Sequence, residues 1–322
     1  MKTAGIGTDI EHAVWLLQRE EVVAIPTETV YGLAGNALSN RAVSEIYAVK
    51  NRPAFDPLII HVYPAERISN WVKAVPEQAL ALAGALMPGP LTLLLPKNDR
   101  VPDLTTSGSA LVAIRSPRHP LTQELLAMLD FPLAAPSANP FGYISPTTAA
   151  HVARQLGDKI PYILDGGPCE VGIESTIVGW DDDKTPVLYR KGGIPVEEIE
   201  RITGPLRVMP HSTSNPSAPG MLKSHYAPRV PLILGSIRES LDQHPGKRIG
   251  VLSFQSHFPE IPAERQIALS PAGDLKEAAR RLFSALRHLD ALGIDLILAE
   301  RFPESGLGTA INDRLRRAAS KN

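Results

Sequence analysis

The chain has 322 residues, of which 43% are hydrophobic and 21% charged, and its 33 Lys and Arg against 34 Asp and Glu leave a net charge of −1. This length favours two domains and this composition a globular protein, while the lack of a basic excess argues against strong general nucleic-acid binding. With no apolar run of roughly 20 residues, no secretory pattern and Cys169 as the only cysteine, we expect a cytoplasmic protein without membrane contact.

Helical and strand patterns alternate from residue 8 to about residue 206. Helices are predicted over 8–20, 40–50 and 77–86. Strands are predicted over 22–25, 58–62, 91–95, 111–114, 133–135, 162–164, 175–178 and 187–189. Thr8 and Glu11 are expected to form the capping box of the first helix. So many strands among few helices predict an α/β fold with a twisted mixed sheet and flanking helices.

Residues 204–229 interrupt this alternation with five prolines among serines, threonines and asparagines, as is typical of a domain boundary. The predicted parts are a first domain over 1–206, an interdomain linker over 207–229 and a C-terminal domain over 230–322. In the last, three apolar strands and a long amphipathic helix predict a smaller, Rossmann-like three-layer α/β domain. Asp274 and Glu277 are expected to form the capping box of that helix, and Gly293 to end it.

Two cations, Lys50 and Arg52, lie at the end of a predicted helix in the stretch KNRPAFDPLIIHV. One interpretation is that they only complement the helix dipole. The other is a clamp for a polyanion, because two prolines and Asp56 stiffen a loop that leads into a strand carrying His61. A stiff loop that already holds two cations loses little entropy when it binds phosphate. This stretch alone leaves both interpretations open.

Small polar residues follow two other predicted strands. The stretch PTETVYG contains Thr27 and Thr29, and the stretch APSANP contains Ser137 and Asn139. Singly, such residues form turns and satisfy nearby backbone groups. Together they lie at strand ends, which is where α/β sheets present groups to ligands. We therefore predict that these clusters meet in one binding site.

Arg115 and Arg190 end two further predicted strands, a position that often carries only surface salt bridges. Here both follow the carboxyl ends of strands, which favours a role in binding. Ser145 or Thr147 is expected to cap the helix that includes AAHVARQLG. The chain has no phosphate-loop, dinucleotide, zinc-protease or serine-hydrolase motif, and its nine histidines lack metal-ligand spacing. We expect no protein-bound metal cage.

Seven segments combine these features in a fixed order: PTETVYGLAGNA, KNRPAFDPLIIHV, APSANPFGYISPT, IESTIVGW, YRKGG, APGMLKSHYAP and GLGTAINDRLRRAA. In these segments the chain resembles, over essentially its whole length, the long two-domain threonylcarbamoyl-AMP synthases, whose catalytic half has the YrdC-like fold. The resemblance implies ATP-dependent synthesis of L-threonylcarbamoyladenylate from L-threonine, bicarbonate and ATP, with release of pyrophosphate. It also implies Mg²⁺ carried with ATP, and a downstream complex that transfers the product to tRNA as threonylcarbamoyladenosine.

The resemblance also implies the residues of the site. Those expected on ATP are Lys50, Arg52, Asp56, Ser137, Asn139, Ser145, Arg190 and Tyr226. Those expected around threonine are Thr27, Thr29, His61, Arg115, Ala135 and Ser175. The catalytic residues would be Lys50, Arg52 and His61, with His61 either a proton acceptor for the amine or an orienting histidine. Glu28 is expected to organise the loop that carries the two threonines.

The linker over 207–229 is predicted to fold over the catalytic opening as a lid, because it is longer than a tether requires and contains Met221, His225 and Tyr226. Passive linkage is the alternative. Two other functions compete with adenylate synthesis. A non-enzymatic RNA-binding or ribosome-maturation module would be at odds with the neutral charge and the 5% aromatic content. Carbamoyl adenylation for another acceptor usually comes with zinc-finger and acylphosphatase-like segments, which this sequence lacks.

Overall fold

The computed structural model describes residues 3–209 and 224–320. Its helices are α1 (Ile10–Gln18), α2 (Asn40–Lys50), α3 (Glu77–Leu86), α4 (Asp103–Thr106), α5 (Pro120–Ala127), α6 (Ala149–Leu156), α7 (Val196–Thr203), α8 (Ile237–Gln243), α9 (Leu275–Ala291) and α10 (Leu307–Ala319). Its strands are β1 (Gly5–Gly7), β2 (Val23–Ile25), β3 (Gly32–Asn36), β4 (Ile59–His61), β5 (Leu91–Pro96), β6 (Leu111–Arg115), β7 (Leu133–Ala134), β8 (Tyr162–Leu164), β9 (Thr176–Trp180), β10 (Pro186–Arg190), β11 (Arg207–Val208), β12 (Leu232–Leu234), β13 (Ile249–Ser253), β14 (Gln266–Ala268) and β15 (Leu296–Ala299).

The strands form two sheets, which confirms the predicted two-part α/β architecture. The larger sheet has eleven strands in the order β1-β8-β2-β3-β7-β4-β6-β5-β9-β10-β11. It is mixed: β4 runs parallel to β6, whereas β5 runs antiparallel to β6. The smaller sheet has the order β12-β15-β13-β14, and all three of its ladders are parallel. The Rossmann-like type of the smaller domain stays a prediction.

Strand register brings two of the predicted site residues side by side. In the parallel pair of β4 and β6, His61 lies opposite Arg115, and both are the last residues of their strands. Strand β5 then joins β6 to β9, with Leu91 opposite Thr176. Residues far apart in the chain are thereby delivered to one edge of the central sheet, which is where ligand groups are presented.

Four strands were not expected from the sequence: β1, β3, β11 and β14. Strand β3 reads GLAGN, and its two glycines give it a low β propensity, yet it pairs with both β2 and β7 in the core. Strand β1 also has two glycines and lies at the edge of the large sheet. Strand β14 is a half-buried edge strand of three residues, so the prediction of three strands in the C-terminal sheet was wrong by one.

Helix caps differ from the predicted ones by a few residues. Helix α1 is capped by Asp9, whose carboxylate accepts from the His12 N–H, and not by Thr8. Helix α6 is capped by Thr148 and not by Ser145 or Thr147, the two predicted candidates. In each case the side-chain oxygen of the residue directly before the helix is best placed to accept from the free N–H groups of the first helical turn.

The cap of α9 was predicted correctly, but its capping box was not. Asp274 accepts a hydrogen bond from the Lys276 N–H at 2.7 Å. The Glu277 carboxylate instead accepts from Ser270 Oγ, and the Asp274 N–H donates to that same hydroxyl. Gly293, with φ +64°, follows the helix end as expected.

The start of the predicted linker belongs to the large sheet, because Arg207–Val208 form β11 and pair with β10. The boundaries at 206 and 229 stay predictions. Most of the linker, including Met221, falls on 210–223, outside the described residues. Among the described helices, none is both long and apolar enough to cross a bilayer.

The smaller domain shares a hydrophobic core with the larger one. Val30, Ile144 and Ile173 of the first part pack in one buried cluster with Tyr226 and Phe283. This cluster places α9 and α10 directly against the loops that precede β9 and α6. The relative placement of the two domains is therefore fixed by buried apolar contacts.

Candidate active site

A cavity of about 50 Å³ lies at the edge of the central sheet. It is lined by Arg115 and by predicted site residues from six of the seven segments: Thr29, Arg52, His61, Ala135, Ser137, Ser175, Arg190 and Tyr226. It is also lined by Val30, Ile59, Pro136, Glu174 and His225. A larger cavity of about 440 Å³ between the domains contains none of the predicted residues. Because the chemistry-bearing side chains converge on the smaller cavity, we take it as the candidate active site.

The loop after β2 is organised by a hydroxyl and an arginine. Thr27 Oγ1 donates to the Val30 carbonyl at 2.6 Å and accepts from the Thr29 and Val30 N–H groups, which closes a tight turn. Arg115 Nη1 donates to Thr29 Oγ1 at 2.9 Å. Arg115 Nη2 lies 2.8 Å from Glu28 Oε2, and both residues of this ion pair are buried. Thr27 thus shapes the turn, while Thr29 and Arg115 face the cavity.

The two cations at the end of α2, Lys50 and Arg52, take different positions relative to the cavity. Arg52 lines the cavity, pairs with Asp56 Oδ2 at 3.0 Å and donates to the Asp56 and Pro57 carbonyls. Lys50 lies behind it, where Nζ donates to the Ser137 and Asn139 carbonyls. Burial, and then the neighbouring Arg52, lower the pKa of Lys50 well below its usual range. Burial raises the pKa of Asp56, although Arg52 and Lys50 act against this shift.

The loop after β7 is held in place by hydrogen bonds from two side chains, Asn139 and Lys50, to its backbone carbonyls. Asn139 is buried, and its Nδ2 donates to the Pro140 and Tyr143 carbonyls. With Lys50 holding two carbonyls of the same loop, Ser137 is left half-buried at the cavity. Asn139 and Lys50 therefore support the loop, and Ser137 is its member at the site.

Arg190 ends β10 and is fixed by Ser175. Its Nε donates to the Ser175 carbonyl at 3.0 Å, and its Nη2 donates to Ser175 Oγ at 2.9 Å. Ser175 Oγ is also 2.7 Å from Thr92 Oγ1. Burial lowers the pKa of Arg190 to about 10, so the guanidinium is charged at neutral pH. A fixed cation of this kind loses little entropy when it binds an anion.

His61 lies at the end of β4 and is 2% exposed. Its Nδ1 is 3.3 Å from the Ile59 carbonyl, and the Leu133 carbonyl also contacts the ring. Burial, and then Arg115, lower the pKa of His61 to about 3. The ring is therefore neutral at physiological pH.

The described end of the linker closes one side of the cavity. Tyr226 is 1% exposed and adopts φ +61°, and its ring centre lies 5.5 Å from the ring centre of Phe283. The Tyr226 N–H donates to Nδ1 of His225, which fixes the ring with its proton on Nε2. Burial and then Arg317 lower the pKa of His225 well below its usual range. These two residues line the cavity, but most of the predicted lid over 207–229 falls on 210–223, outside the described residues, so the lid stays a prediction.

Sequence reasoning did not assign Glu174 to the site, although the segment IESTIVGW contains it. Glu174 lines the cavity, and its Oε1 accepts from Ser145 Oγ at 2.6 Å. Ser145 itself lies behind the lining. A glutamate directly before a predicted site serine was the available signal, but its acceptor role depends on a residue 29 positions away.

Gly192 has no room for a side chain, and this gives a first prediction. A Cβ on Gly192 would lie 2.3 Å from the Ser175 carbonyl carbon and 2.4 Å from the Glu174 carbonyl oxygen. We expect Gly192→Ala to destabilise the fold by about 1–3 kcal/mol and to lower activity, because the backbone holding Arg190 and Ser175 must shift. Thermal unfolding and initial rates measure both effects.

Gly84→Ala is the matched control. Gly84 lies inside α3 with no atom within 4 Å of an added Cβ. Alanine is better than glycine in a helix by about 1 kcal/mol, so this variant should be more stable and equally active. Equal stability changes in the two variants would contradict the close contact at Gly192.

A mixed α/β sheet that gathers fixed arginines and small hydroxyls around one cavity defines a protein of the anion-binding α/β class. The Sua5–YciO–YrdC family model, described as telomere recombination, matches residues 15–192, and the model of the threonylcarbamoyl-AMP synthase C-terminal domain matches residues 194–320. The chain is 42% identical over 325 residues to threonylcarbamoyl-AMP synthase of Pyrococcus abyssi, spanning 96% of this chain and 94% of that protein. It is 41% identical over 321 residues to the Bacillus subtilis protein of the same name, spanning 96% and 92%.

A solved structure agrees over both domains. The crystal structure of P. abyssi Sua5 complexed with L-threonine superposes with a TM-score of 0.91 at 40% identity, covering 98% of this chain and 97% of that one. The chain belongs to the threonylcarbamoyl-AMP synthase family, in its long two-domain form. It is accordingly an enzyme, a transferase of the type that forms an adenylate.

Proposed function

We propose that the protein joins L-threonine, bicarbonate and ATP into L-threonylcarbamoyladenylate and releases pyrophosphate, as the first step of threonylcarbamoyladenosine formation next to the anticodon of tRNA. The observation that carries the proposal is the convergence of Arg52, Arg115 and Arg190 on one cavity together with Thr29 and Ser175. A downstream complex would transfer the threonylcarbamoyl group to tRNA. A cytoplasmic location belongs to the same proposal, in keeping with the single, unpaired and buried cysteine.

The threonine side of the cavity would be formed by the loop after β2 and the ends of β4 and β6. Arg115 would face the carboxylate of the amino acid, because it is a fixed cation beside a hydroxyl. Thr29, Ser175 and His61 would orient the polar groups, and Ala135 would lie against the methyl group. Thr27 would act indirectly, through the turn that it closes.

His61 suits an orienting role better than that of proton acceptor. Both of its ring contacts are to backbone carbonyls, and these hold the ring in place. A pKa of about 3 also makes it a weak base toward an ammonium group.

The ATP side would be formed by Arg52, Arg190 and Ser137, which line the cavity. Residues one step behind it would hold these groups in place: Lys50, Asp56, Asn139 and Ser145. Tyr226 would cover the nucleotide. The donor set of two arginines and a hydroxyl fits a phosphate chain, and the buried Asp56 carboxylate is committed to Arg52. Mg²⁺, carried in with ATP, would supply further positive charge to the phosphates.

The reaction chiefly requires that several anions meet. The threonine amine attacks the carbon of bicarbonate with loss of water, and the resulting carbamate oxygen attacks the α-phosphorus of ATP, displacing pyrophosphate. Two unit negative charges 4 Å apart repel by about 4 kcal/mol at an effective dielectric of 20. Fixed arginines oppose this repulsion without having to reorganise. Positioning and charge suffice for such a transfer, so a covalent nucleophile is not required.

The deciding experiment measures pyrophosphate release from ATP and bicarbonate with threonine, with serine and without an amino acid. We expect threonine-dependent release that is lost when bicarbonate is removed, and serine weaker by about five- to tenfold, since one buried methyl group distinguishes the two. Salt-sensitive RNA binding without any threonine-dependent release would support the RNA-binding module instead.

Thr29→Val is predicted to separate the two substrates. The substitution keeps the shape but removes the hydroxyl that Arg115 Nη1 contacts at 2.9 Å. We expect the KM for threonine to rise about tenfold while the KM for ATP changes less than about twofold. Steady-state kinetics with each substrate varied in turn measure this.

Thr105→Val is the matched control, because Thr105 is a buried threonine outside the cavity whose hydroxyl donates to the Ala37 carbonyl at 2.7 Å. It should lower stability and leave both KM values unchanged. Equal increases in both KM values for Thr29→Val would reject the assignment of Thr29 to threonine.

A further inference from the structure

Arg314 on α10 is completely buried, and it reaches out of the C-terminal domain into the catalytic one. Its Nε and Nη2 lie 3.1 and 3.0 Å from the same oxygen, Oε2 of Glu174. Its Nη1 donates to the Lys191 carbonyl. One guanidinium therefore ties the segment before β9, whose Glu174 and Ser175 line the cavity, to the turn that directly follows Arg190.

Glu174 connects Arg314 to other residues of the site. Its other oxygen, Oε1, accepts from Ser145 Oγ at 2.6 Å, and its backbone carbonyl accepts from the Gly193 N–H at 2.9 Å. The next residue, Ser175, accepts two hydrogen bonds that hold Arg190 in place. The position of Arg190, which we assign to ATP, thus depends on the segment that Arg314 holds.

The charges around Glu174 make this contact electrostatic as well as steric. The groups that face its carboxylate are Arg314 from α10, Arg190 from β10 and Tyr226 from the linker. Burial alone would raise the pKa of Glu174, but Arg314 and then Arg190 outweigh burial and bring it below its ordinary value. The Arg314 Cζ atom also lies 5.4 Å from the Tyr226 ring centre, over the described end of the linker.

We propose that Arg314 is a positioning residue for the ATP side of the site, through which the C-terminal domain completes the catalytic pocket. It acts through Glu174, Lys191 and Tyr226 and makes no contact with the reacting atoms. This inference rests on the proposed function, because it assigns Arg190 to ATP.

The test compares Arg314→Met with Arg314→Lys in the full-length chain. We expect Arg314→Met to raise the KM for ATP about 10- to 100-fold, as for the loss of a charged hydrogen-bonding partner, and the KM for threonine less than about threefold. Arg314→Lys keeps the positive charge but loses the planar guanidinium that makes several hydrogen bonds at once, so its increase in the KM for ATP should be intermediate. Arg316→Met is the control on the same helix, since Arg316 is exposed and pairs only with Glu304 among the described residues; it should behave as the unsubstituted protein.

A pH profile distinguishes positioning from general loss of structure. Without Arg314, only Arg190 is left to oppose burial, so the pKa of Glu174 should rise and the carboxyl should gain a proton at a higher pH than in the unsubstituted protein. The kcat/KM for ATP of Arg314→Met should then decline toward acid pH, whereas the unsubstituted protein stays level there. Adding Glu174→Gln should remove this decline, because the titrating group is gone.

The double variant also covers the case in which Arg314→Met leaves too little folded protein. In Arg314→Met with Glu174→Gln, neither charge of the Arg314–Glu174 pair is left buried without the other, and Asp313 keeps its ion pair with Arg317, so folding should largely recover. If Arg314 acts through Glu174, the KM for ATP in the double variant will be no higher than in the worse single variant. Multiplied effects, or an Arg314→Met protein with an ATP KM within threefold of normal, would overturn the inference. Absence of threonine-dependent pyrophosphate release in the unsubstituted protein would instead overturn the proposed function.

Discussion

Arg190→Met is expected to lower the kcat for pyrophosphate release by about 100- to 1,000-fold, the size of effect seen when one preorganised donor is lost from a site of developing charge. Arg190 is 7% exposed, and its Nε and Nη2 are held by Ser175 at 3.0 and 2.9 Å. The charge is therefore already in place before the substrate enters. Threonine-dependent pyrophosphate release at saturating substrate concentrations measures the effect.

Two controls accompany Arg190→Met. Arg190→Lys keeps a positive charge without the two-pronged geometry and should retain an intermediate rate. Arg207→Met removes an arginine from the adjacent strand β11 whose side chain is 60% exposed and pairs with Asp181; activity and stability should stay close to normal. A rate for Arg190→Met within threefold of the unsubstituted enzyme would exclude Arg190 from the chemistry.

Arg115→Met is expected to have the second largest effect, on both stability and threonine use. It leaves Glu28, which is 1% exposed, as a buried carboxylate without the cation that lies 2.8 Å away. Breaking such a pair costs about 3–5 kcal/mol. The lost contacts to the amino acid should raise the KM for threonine about 10- to 100-fold. Chemical denaturation and kinetics with varied threonine measure the two effects.

Adding Glu28→Gln to Arg115→Met separates these effects. Removing both charges should restore most of the lost stability, because no unpaired charge remains buried. The KM for threonine should stay high, because the cation that faces the carboxylate is still missing. If threonine affinity returned together with stability, Arg115 would act only by holding Glu28 in place.

Local sequence signals predicted the elements that depend on local physics. Helix α2 runs over Asn40–Lys50 as predicted, because its apolar residues recur at helical spacing and Asn51 adopts the left-handed conformation that ends it. The caps were less certain from sequence, since several neighbouring Ser, Thr and Asp residues compete for the same N–H groups. Asp9 and Thr148 took those positions because they immediately precede the first helical residues.

The lining of the cavity was predictable in part. Thr29 and Arg190 were identified because they lie in motifs at strand ends, and Arg52 because it lies in a stiff loop at a helix end; the structure brings all three together. Lys50 was in the same motif, yet it points to the carbonyls of a loop 87 and 89 residues further along the chain. Its position behind the lining depends on how that loop packs, and the motif holds no information on this.

The sequence by itself determined the family, the two-part α/β architecture and most of the residues that surround the cavity, because motif chemistry and hydrophobic periodicity are local properties. Only the tertiary structure decided that glycine-rich β3 is a core strand, that Glu174 lines the site and that Arg314, 140 positions away, is its partner. Strand register and the pairing of buried charges are settled by contacts between distant segments. A charged residue within a buried segment indicates that the charge needs a partner, but only the folded structure determines which residue that partner is.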